Sequence, residues 1–461
     1  MRLQEFTEAP RGFFSAPLQL FIMMIKPCIP NKQKTMRNIF LKRLSFLVLA
    51  LGIHSLAVAN TPTTQDEVFI ATKLKAESGD VAAQGNLGTL YATGSGTEQD
   101  YVKAREWYEK SAAQGYASAQ NDLGTLYASG EGVTRDYIEA REWYEKAAAQ
   151  GNAAAQNNLG VLYASGDGVP RDYVKAREWY EKAAAQGYAT AQNNLGAFYA
   201  SGYGVPQDYV KAREWYEKAA AQGHATAQSN LGDLYASGHG IPKDYVKAHE
   251  WYEKAAAQGF AKAQSNLGDL YAFGDGVTRD LVKAREWYEK SAAQGYATAQ
   301  NNLGAFYASG HGVPEDYAKA REWYEKAAVQ GHAVAQSNMG KLYAVGAGVT
   351  KDHVKAREWY EKAAAQGYAP AQNDLGTLYA SGEDGTRDYA KAREWFEKAA
   401  AQGHAVAQNN LGTLYASGDG VPRDYAKARE WFEKAAEQGN TKAQDNLRKL
   451  YSSGADRAPK D

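Results

Sequence analysis

Apolar positions along most of the chain recur with a fixed period of 36 residues. The dipeptide Ala-Gln marks the period from Ala83 to Ala443, and all ten tryptophans follow it from Trp107 to Trp431. Self-similarity at a period of this length is typical of repeat arrays, in which neighbouring units share one continuous core. The sequence therefore predicts one array of units, although its 461 residues alone would suggest about three separate domains.

Each unit contains two helical patterns with a break between them. In the unit that starts at Ala119, the residues Ala119, Leu123 and Tyr127 lie at i, i+4 and i+8 and predict a first helix. A Gly-x-Gly pair beginning at Gly130 ends it, because glycine tolerates the left-handed conformation of a helix C-terminus. Asp136 is a favourable N-cap for a second helix. Each unit is thus predicted to be a helical hairpin.

The two helices of a unit carry residues of complementary size. The buried stripe predicted for the second helix consists of Ala140, Trp143 and Ala147. Gly124 recurs inside the first helix, where glycine costs up to ~1 kcal/mol relative to alanine. We expect the large aromatic side chains to pack against these glycine and alanine positions.

The run A-x-x-x-L-G-x-x-Y-x-x-G-x-G-V-x-x-D-x-x-K-A-x-x-W-x-x-K-A-A-x-x-G resembles the Sel-one-like repeat (SLR) family, which is related to the tetratricopeptide repeat. The resemblance covers roughly residues 80–451. It implies an all-α fold, a right-handed α-solenoid of antiparallel helix hairpins, and a role as adaptor or scaffold, often in exported bacterial proteins that meet host or cell-envelope partners. Some relatives carry a disulfide in each repeat. This chain has Cys28 alone, so nothing specific to that cysteine-rich branch is carried over.

One loop departs from the pattern, since Asp384 replaces the second glycine of the Gly-x-Gly pair. We expect only a local distortion there, because aspartate tolerates the left-handed conformation better than most residues.

The period divides the chain into segments. Their predicted bounds are an upstream extension at 1–35, a signal peptide at 36–59, an N-terminal capping helix at 60–82, ten repeats at 83–442, and a C-terminal capping helix and tail at 443–461. Polar end helices suit a repeat array whose termini face water.

The segment that follows Met36 has the layout of a secretory signal peptide. Basic residues such as Arg37 precede an apolar stretch from Leu44 to Leu56, and Ala57-Val58-Ala59 provides an A-x-A cleavage site. We therefore predict cleavage between Ala59 and Asn60, a periplasmic or secreted protein, and no stable membrane insertion after cleavage. The alternative is a retained signal anchor.

The distribution of charge and the absence of known catalytic motifs reduce the number of function classes that the sequence supports. Residues 1–59 hold eight Lys/Arg and two Glu, which leaves 44 basic and 51 acidic residues in the remainder, so a nucleic-acid partner is not expected. The chain has no phosphate-binding loop and no Ser-x-x-Lys nucleophile motif. His249-Glu250 begins like a zinc-protease motif, but Glu253 stands where the second histidine belongs. We predict no catalytic, cofactor or metal site, and loop positions exposed to solvent for His224, His239, His311, His332, His353 and His404.

If the geometry follows the tetratricopeptide case, the first helices line the concave surface with the face opposite the buried stripe. Three rows of small, mostly uncharged residues lie on that face and form the candidate partner-binding groove. The first row contains Asn121, Asn157, Asn193, Asn301, Asn373 and Asn409; the middle row contains Thr125, Val161, Asp233, Asp269, Lys341, Thr377 and Thr413; the last row contains Ser129, Phe273 and Val345. Such a surface could hydrogen-bond an extended peptide or accept a helix or loop of a protein partner. The alternative is that the small residues only permit tight curvature and that a partner binds elsewhere.

A second candidate surface consists of aromatic residues that precede first helices or lie in loops. These residues are Tyr116, Tyr188, Phe260, Tyr296, Tyr368 and Tyr203. Aromatic side chains are favoured interface anchors, but a tyrosine at such a position can equally pack on the next hairpin.

The function that these patterns favour is an exported, non-catalytic scaffold or adaptor. The alternatives are an envelope hydrolase of the kind suggested for cysteine-rich relatives and a carbohydrate-binding envelope element.

Overall fold

The computed structural model describes residues 64–453, and within that range it consists of 22 α-helices without a strand. The predicted upstream extension, signal peptide and C-terminal tail lie outside the described residues. The helices are α1 (Thr64–Glu77), α2 (Val81–Thr93), α3 (Tyr101–Ala113), α4 (Ala117–Ser129), α5 (Tyr137–Ala149), α6 (Ala153–Ser165), α7 (Tyr173–Ala185), α8 (Ala189–Ser201), α9 (Tyr209–Ala221), α10 (Ala225–Ser237), α11 (Tyr245–Ala257), α12 (Ala261–Phe273), α13 (Leu281–Ala293), α14 (Ala297–Ser309), α15 (Tyr317–Ala328), α16 (Ala333–Val345), α17 (His353–Ala365), α18 (Ala369–Ser381), α19 (Tyr389–Ala401), α20 (Ala405–Ser417), α21 (Tyr425–Glu437) and α22 (Thr441–Ser453).

The described residues fall into two compact units, 64–243 and 244–453. Where both helices belong to the same unit, a first helix pairs with the second helix that follows it, and that second helix packs on the next first helix. Contacts are thus made between neighbours along the chain, as expected of a repeat array. The prediction of an all-α solenoid is confirmed.

The predicted helix ends are confirmed in the hairpin of α4 and α5. Gly130 follows α4 with a φ of 78°, the left-handed conformation that glycine adopts without strain. The Asp136 side chain then accepts hydrogen bonds from the backbone N–H groups of Ile138 and Glu139. The Asp136 N–H donates to the Tyr127 carbonyl at 2.9 Å, which closes the loop between the two helices.

The prediction that Trp143 enters the core is wrong, because the ring opposite Gly124 belongs to Tyr144. A Cβ on Gly124 would lie 2.8 Å from the Tyr144 ring and 3.0 Å from the Ala140 carbonyl oxygen, so only glycine fits. Tyr144 is buried, whereas Trp143 is half-buried at the edge of the core. The Lys146 ammonium lies 3.7 Å from the Trp143 ring centroid, within the range of a cation–π interaction.

A ladder of glutamines joins each hairpin to the preceding one. Gln120, at the start of α4, donates from Nε2 to the Ala112 carbonyl at the end of α3 at 3.2 Å. Its Oε1 accepts a hydrogen bond of 2.7 Å from Gln150 Nε2, at the end of α5. Gln120 is buried, and burying an amide without partners would cost about 1–3 kcal/mol. The recurrent Ala-Gln of the sequence therefore ties three consecutive helices together.

Candidate functional site

The first row of the predicted groove lies inside the stack of first helices. Asn157 is 3% exposed, and the other members of the row, apart from the half-buried Asn121, are buried as well. Asn158 Nδ2 donates to Asn121 Oδ1 at 3.0 Å, and Asn194 Nδ2 donates to Asn157 Oδ1 at the same distance. Each amide thus bonds to the next first helix. This row holds neighbouring repeats together and offers a partner little surface.

The middle row is more open and lies above the rings of the second helices. Thr125, Thr377 and Thr413 are exposed, while Val161, Asp233, Asp269 and Lys341 are partly buried. The Tyr144 hydroxyl donates to Thr125 Oγ1 at 3.3 Å. The same tyrosine ring that packs against Gly124 thus contacts the middle row through its hydroxyl group. The middle row is therefore joined to the second helix beneath it.

Asp269 in α12 is held by two donors on one oxygen. The Tyr288 hydroxyl donates to Asp269 Oδ1 at 2.6 Å, and Asn302 Nδ2 donates to the same atom at 3.1 Å. Burial raises the pKa of Asp269 to about 6, although the Tyr288 hydrogen bond acts in the opposite direction. The Asp269 carboxylate, which was predicted to face a partner, therefore accepts hydrogen bonds from its own hairpin and from α14.

The last row contains the most exposed apolar side chains of the predicted groove. At most of its positions a serine closes the turn: Ser129 Oγ donates to the Leu126 carbonyl at 3.2 Å and accepts from the Glu131 N–H at 3.3 Å. Phe273 and Val345 replace this serine in two repeats and are 59% and 52% exposed. Both lie in the unit 244–453. They are the predicted groove residues best placed to contact a partner.

The second candidate surface is less open than its sequence suggests. Tyr116, Tyr188, Phe260, Tyr296 and Tyr368 each precede a first helix, and all are partly buried. A Cβ on Gly85 would lie 3.0 Å from the Tyr116 ring, which therefore packs on the preceding first helix. Tyr203 stacks on Tyr173 with ring centroids 4.8 Å apart. These rings serve packing between repeats, the alternative that the sequence left open.

Three of the histidines predicted to be solvent-exposed have a structural role. His224, His332 and His404 are N-caps of first helices and are partly buried. For these three the prediction of an exposed loop position is wrong, because each ring accepts a backbone hydrogen bond at the helix end. His239 and His311 are exposed in loops, as predicted, whereas His353 begins α17 and is partly buried, so the prediction is wrong for His353 as well.

The loop that contains Asp384 adds an ion pair to the expected distortion. The left-handed conformation is found at Gly385, with a φ of 84°. The Asp384 side chain is fully buried and pairs with the guanidinium of Arg357 in α17, which also donates to Thr386 Oγ1 at 3.1 Å. Asp384 thereby connects two consecutive repeats.

A row of exposed apolar residues was missed by the sequence analysis. These residues occupy the second position of the second helices and are 45–56% exposed: Val102, Ile138, Val174, Val210, Val246, Val282 and Val354. The sequence contains a signal for this row. An apolar residue follows the first tyrosine of most second helices, at a position outside the buried stripe.

Three further features of the described residues bear on the class of function. Within 64–453, no group of three His, Cys, Asp or Glu side chains is placed to hold a metal ion. A surface hollow of about 290 Å³ is lined by four exposed residues, Glu322, Glu325, Lys326 and Val329. None of the helices between residues 64 and 453 has the length and apolar character needed to cross a membrane.

Comparison with known proteins settles the family. The Sel1 repeat family matches ten consecutive segments, at 81–116, 117–152, 153–188, 189–224, 225–260, 261–296, 297–332, 333–368, 369–404 and 405–440. The chain belongs to the Sel1 repeat family. Sel1 repeat proteins generally act as non-catalytic scaffolds for protein interactions. The matched segments begin two residues upstream of the frame set by Ala-Gln, at the start of each first helix.

Two solved Sel1 repeat structures are similar to this chain. One is a protective antigen with an SLR fold present in uropathogenic Escherichia coli strains; it is 42% identical with a TM-score of 0.62, and the match covers 84% of this chain and 83% of that chain. The other is a Sel1 repeat protein from Oxalobacter formigenes, 34% identical with a TM-score of 0.49, where the match covers 72% of this chain and 98% of that one. No curated protein matches the chain.

Proposed function

We propose that this Sel1 repeat chain is an exported scaffold that holds a protein or peptide partner on the open side of its first helices. The observation that carries the proposal is the exposure of Phe273 and Val345, at a position where the other eight repeats have serine or threonine. A side chain that replaces the turn-closing serine gives up the hydrogen bonds of that serine within the hairpin and exposes apolar area instead. Aromatic and aliphatic anchors of this kind often carry much of the energy of a protein interface.

The partner surface extends from these anchors along the exposed part of the middle row. Within the unit 244–453, Thr377 and Thr413 supply hydroxyl groups there, and Lys341 precedes Val345 by one turn of α16. This combination of an apolar anchor with nearby hydrogen-bonding groups suits a helix or an extended segment of another protein.

Replacing both anchors with the residue found in most other repeats tests the proposal. In the double variant Phe273→Ser/Val345→Ser we expect at least a tenfold loss of affinity for the partner, since each exposed side chain gives up contact area worth about 1–2 kcal/mol. Because serine occupies this position in most other repeats, the fold should be retained. The partner is first isolated from an envelope extract with residues 60–461 as bait, and its Kd is then measured by calorimetry.

A matched control removes similar apolar area from the second helices. The variant Val282→Thr/Val354→Thr should bind with unchanged affinity, because these exposed residues lie on the second helices, whereas the proposed anchors lie on the first helices. If the parent chain and the Phe273→Ser/Val345→Ser variant bind the partner with equal affinity, the proposed surface is not the binding site.

Export is supported by the pattern of residues 36–59 and by the nature of one relative. One relative that is 42% identical to this chain is a protective antigen present in uropathogenic Escherichia coli strains, and an exported chain would fit such a role. We therefore predict that the exported protein begins at Asn60. N-terminal sequencing of the protein recovered from the periplasm or the medium checks this. Recovery of a chain that retains residues 44–56 would contradict cleavage and favour a signal anchor.

A further inference from the structure

The residue before each first helix varies, and its type decides whether the helix is capped by a side chain. Asp80, Asn152 and Asn440 accept a hydrogen bond from the backbone N–H three residues later, at 2.7, 2.9 and 2.9 Å. Tyrosine or phenylalanine at this position makes no such bond; the residues are Tyr116, Tyr188, Phe260, Tyr296 and Tyr368. The position is thus an N-cap that only some repeats use.

Histidine fills this position in three repeats and caps with its Nδ1 atom. His224 accepts from the Ala227 N–H at 3.3 Å, His332 from the Ala335 N–H at 3.2 Å, and His404 from the Ala407 N–H at 3.2 Å. An imidazole accepts at Nδ1 only when it is neutral, since both ring nitrogens of the charged form are donors. The three caps therefore exist in one protonation state alone.

The surroundings of the rings oppose the charged state. Burial lowers the pKa of His224, and it lowers the pKa of His332 to about 4. Burial also lowers the pKa of His404, and the positive charge of Lys341 adds to that effect. Among the charged side chains of residues 64–453, Lys341 is the one that acts on any of the three rings. A positive charge is further disfavoured at a helix N-terminus, where the macrodipole is itself positive.

We propose that His224, His332 and His404 form an acid-sensitive device that opens the starts of α10, α16 and α20 when the medium becomes acidic. One of the three histidines lies in the unit 64–243 and two lie in the unit 244–453, so both units contain the device. A chain released into a compartment of variable pH would thereby loosen its repeat stack at three defined places. The aspartate and asparagine caps of the other repeats stay closed.

The size of the effect follows from the titration of His332. An unfolded histidine has a pKa near 6.5, so the folded state binds its proton less readily than the opened state does. The cap's contribution to stability is fully present above pH 6.5 and is lost as the pH falls towards 4. Between pH 7.5 and pH 5.0, the equilibrium constant for opening the start of α16 should rise about 30-fold.

Hydrogen exchange of the full chain at pH 7.5 and pH 5.0 tests the proposal. After correction for intrinsic exchange rates, protection of peptides covering 332–338 should fall about 30-fold on acidification, and protection of 224–230 and 404–410 should fall in the same direction. Peptides covering 152–158 and 440–446 are internal references, because asparagine caps the same position there.

Two variants separate capping from general acid effects. The variant His224→Asn/His332→Asn/His404→Asn keeps a capping side chain without a titratable group and should lose the excess acid sensitivity. The variant His239→Asn/His311→Asn, which changes two exposed loop histidines, should behave like the parent. If acidification lowers protection equally in histidine-capped and asparagine-capped repeats, or if the triple variant keeps the excess sensitivity, the proposal is overturned.

Discussion

Replacing Tyr216 with alanine is expected to lower the free energy of unfolding of the unit 64–243 by about 3–5 kcal/mol. The Tyr216 ring fills the notch of Gly196 so tightly that a Cβ there would lie 2.6 Å away, and the residue is 2% exposed. Truncation leaves a cavity between two helices that the rigid backbone cannot close. Replacing Trp215 with alanine should cost less, about 1–2 kcal/mol, because the indole is only half-buried. Urea unfolding followed by circular dichroism measures both values.

Tyr216→Phe is the matched control for the cavity. Phenylalanine occupies the same position in two other repeats, at Phe396 and Phe432, where it lies in the notches of Gly376 and Gly412. The variant should therefore lie within about 1 kcal/mol of the parent chain. A larger loss for Trp215→Ala than for Tyr216→Ala would mean that the indole, and not the phenol ring, holds the hairpin together.

The choice between these two aromatic residues shows where sequence reasoning stops. Trp143 lies three residues after Ala140 and four before Ala147, and Tyr144 lies four after the first and three before the second. Both spacings fit one face of a helix, so periodicity alone cannot decide which ring is buried. The decision comes from the position of Gly124 on the neighbouring helix, which fixes the ring that can approach. The interchange of tyrosine with phenylalanine at this position was a weaker hint in the same direction.

The helix ends, by contrast, follow directly from residue type. Gly130 and Asp136 have the predicted conformations, since a left-handed turn and an N-cap depend on local geometry that few residues satisfy. Helix ends of this kind can be predicted from the sequence of one repeat, without knowledge of the neighbouring repeats. For this reason the two ends of the hairpin loop were predicted correctly.

The candidate groove required knowledge of the neighbouring repeats. Polar residues opposite a buried stripe normally indicate exposure, and Asn157 was assigned to the surface on that ground. Its Oδ1 instead accepts from Asn194, 37 residues further along the chain, so the amide is satisfied inside the stack. A first helix has two further neighbours of its own kind, and the sequence pattern of a single repeat does not show them. Phe273 and Val345, in the last row, are exposed as the pattern predicts.

Replacing Asp269 with asparagine should stabilise the unit 244–453 by about 2 kcal/mol at pH 7.5. Burial raises the pKa of this carboxyl to about 6, compared with about 3.9 in an unfolded chain. The folded state thus prefers the protonated form, and the favourable contribution is complete below about pH 4 and is lost as the pH rises through 6. Tyr288 and Asn302 both donate to Oδ1, so an amide oxygen preserves both hydrogen bonds without a buried charge.

The pH dependence distinguishes this explanation from a general effect of charge removal. Urea unfolding at pH 5.0 should show a gain for Asp269→Asn that is smaller by about 1 kcal/mol than at pH 7.5, because the parent carboxyl is then largely protonated. Asp419→Asn, the same chemical change at an exposed loop position, should leave stability within about 0.5 kcal/mol at both pH values. If Asp269→Asn raises the free energy of unfolding equally at the two pH values, ionisation of Asp269 does not destabilise the folded state. The hydrogen bonds from Tyr288 and Asn302 would then compensate for burial of the carboxylate.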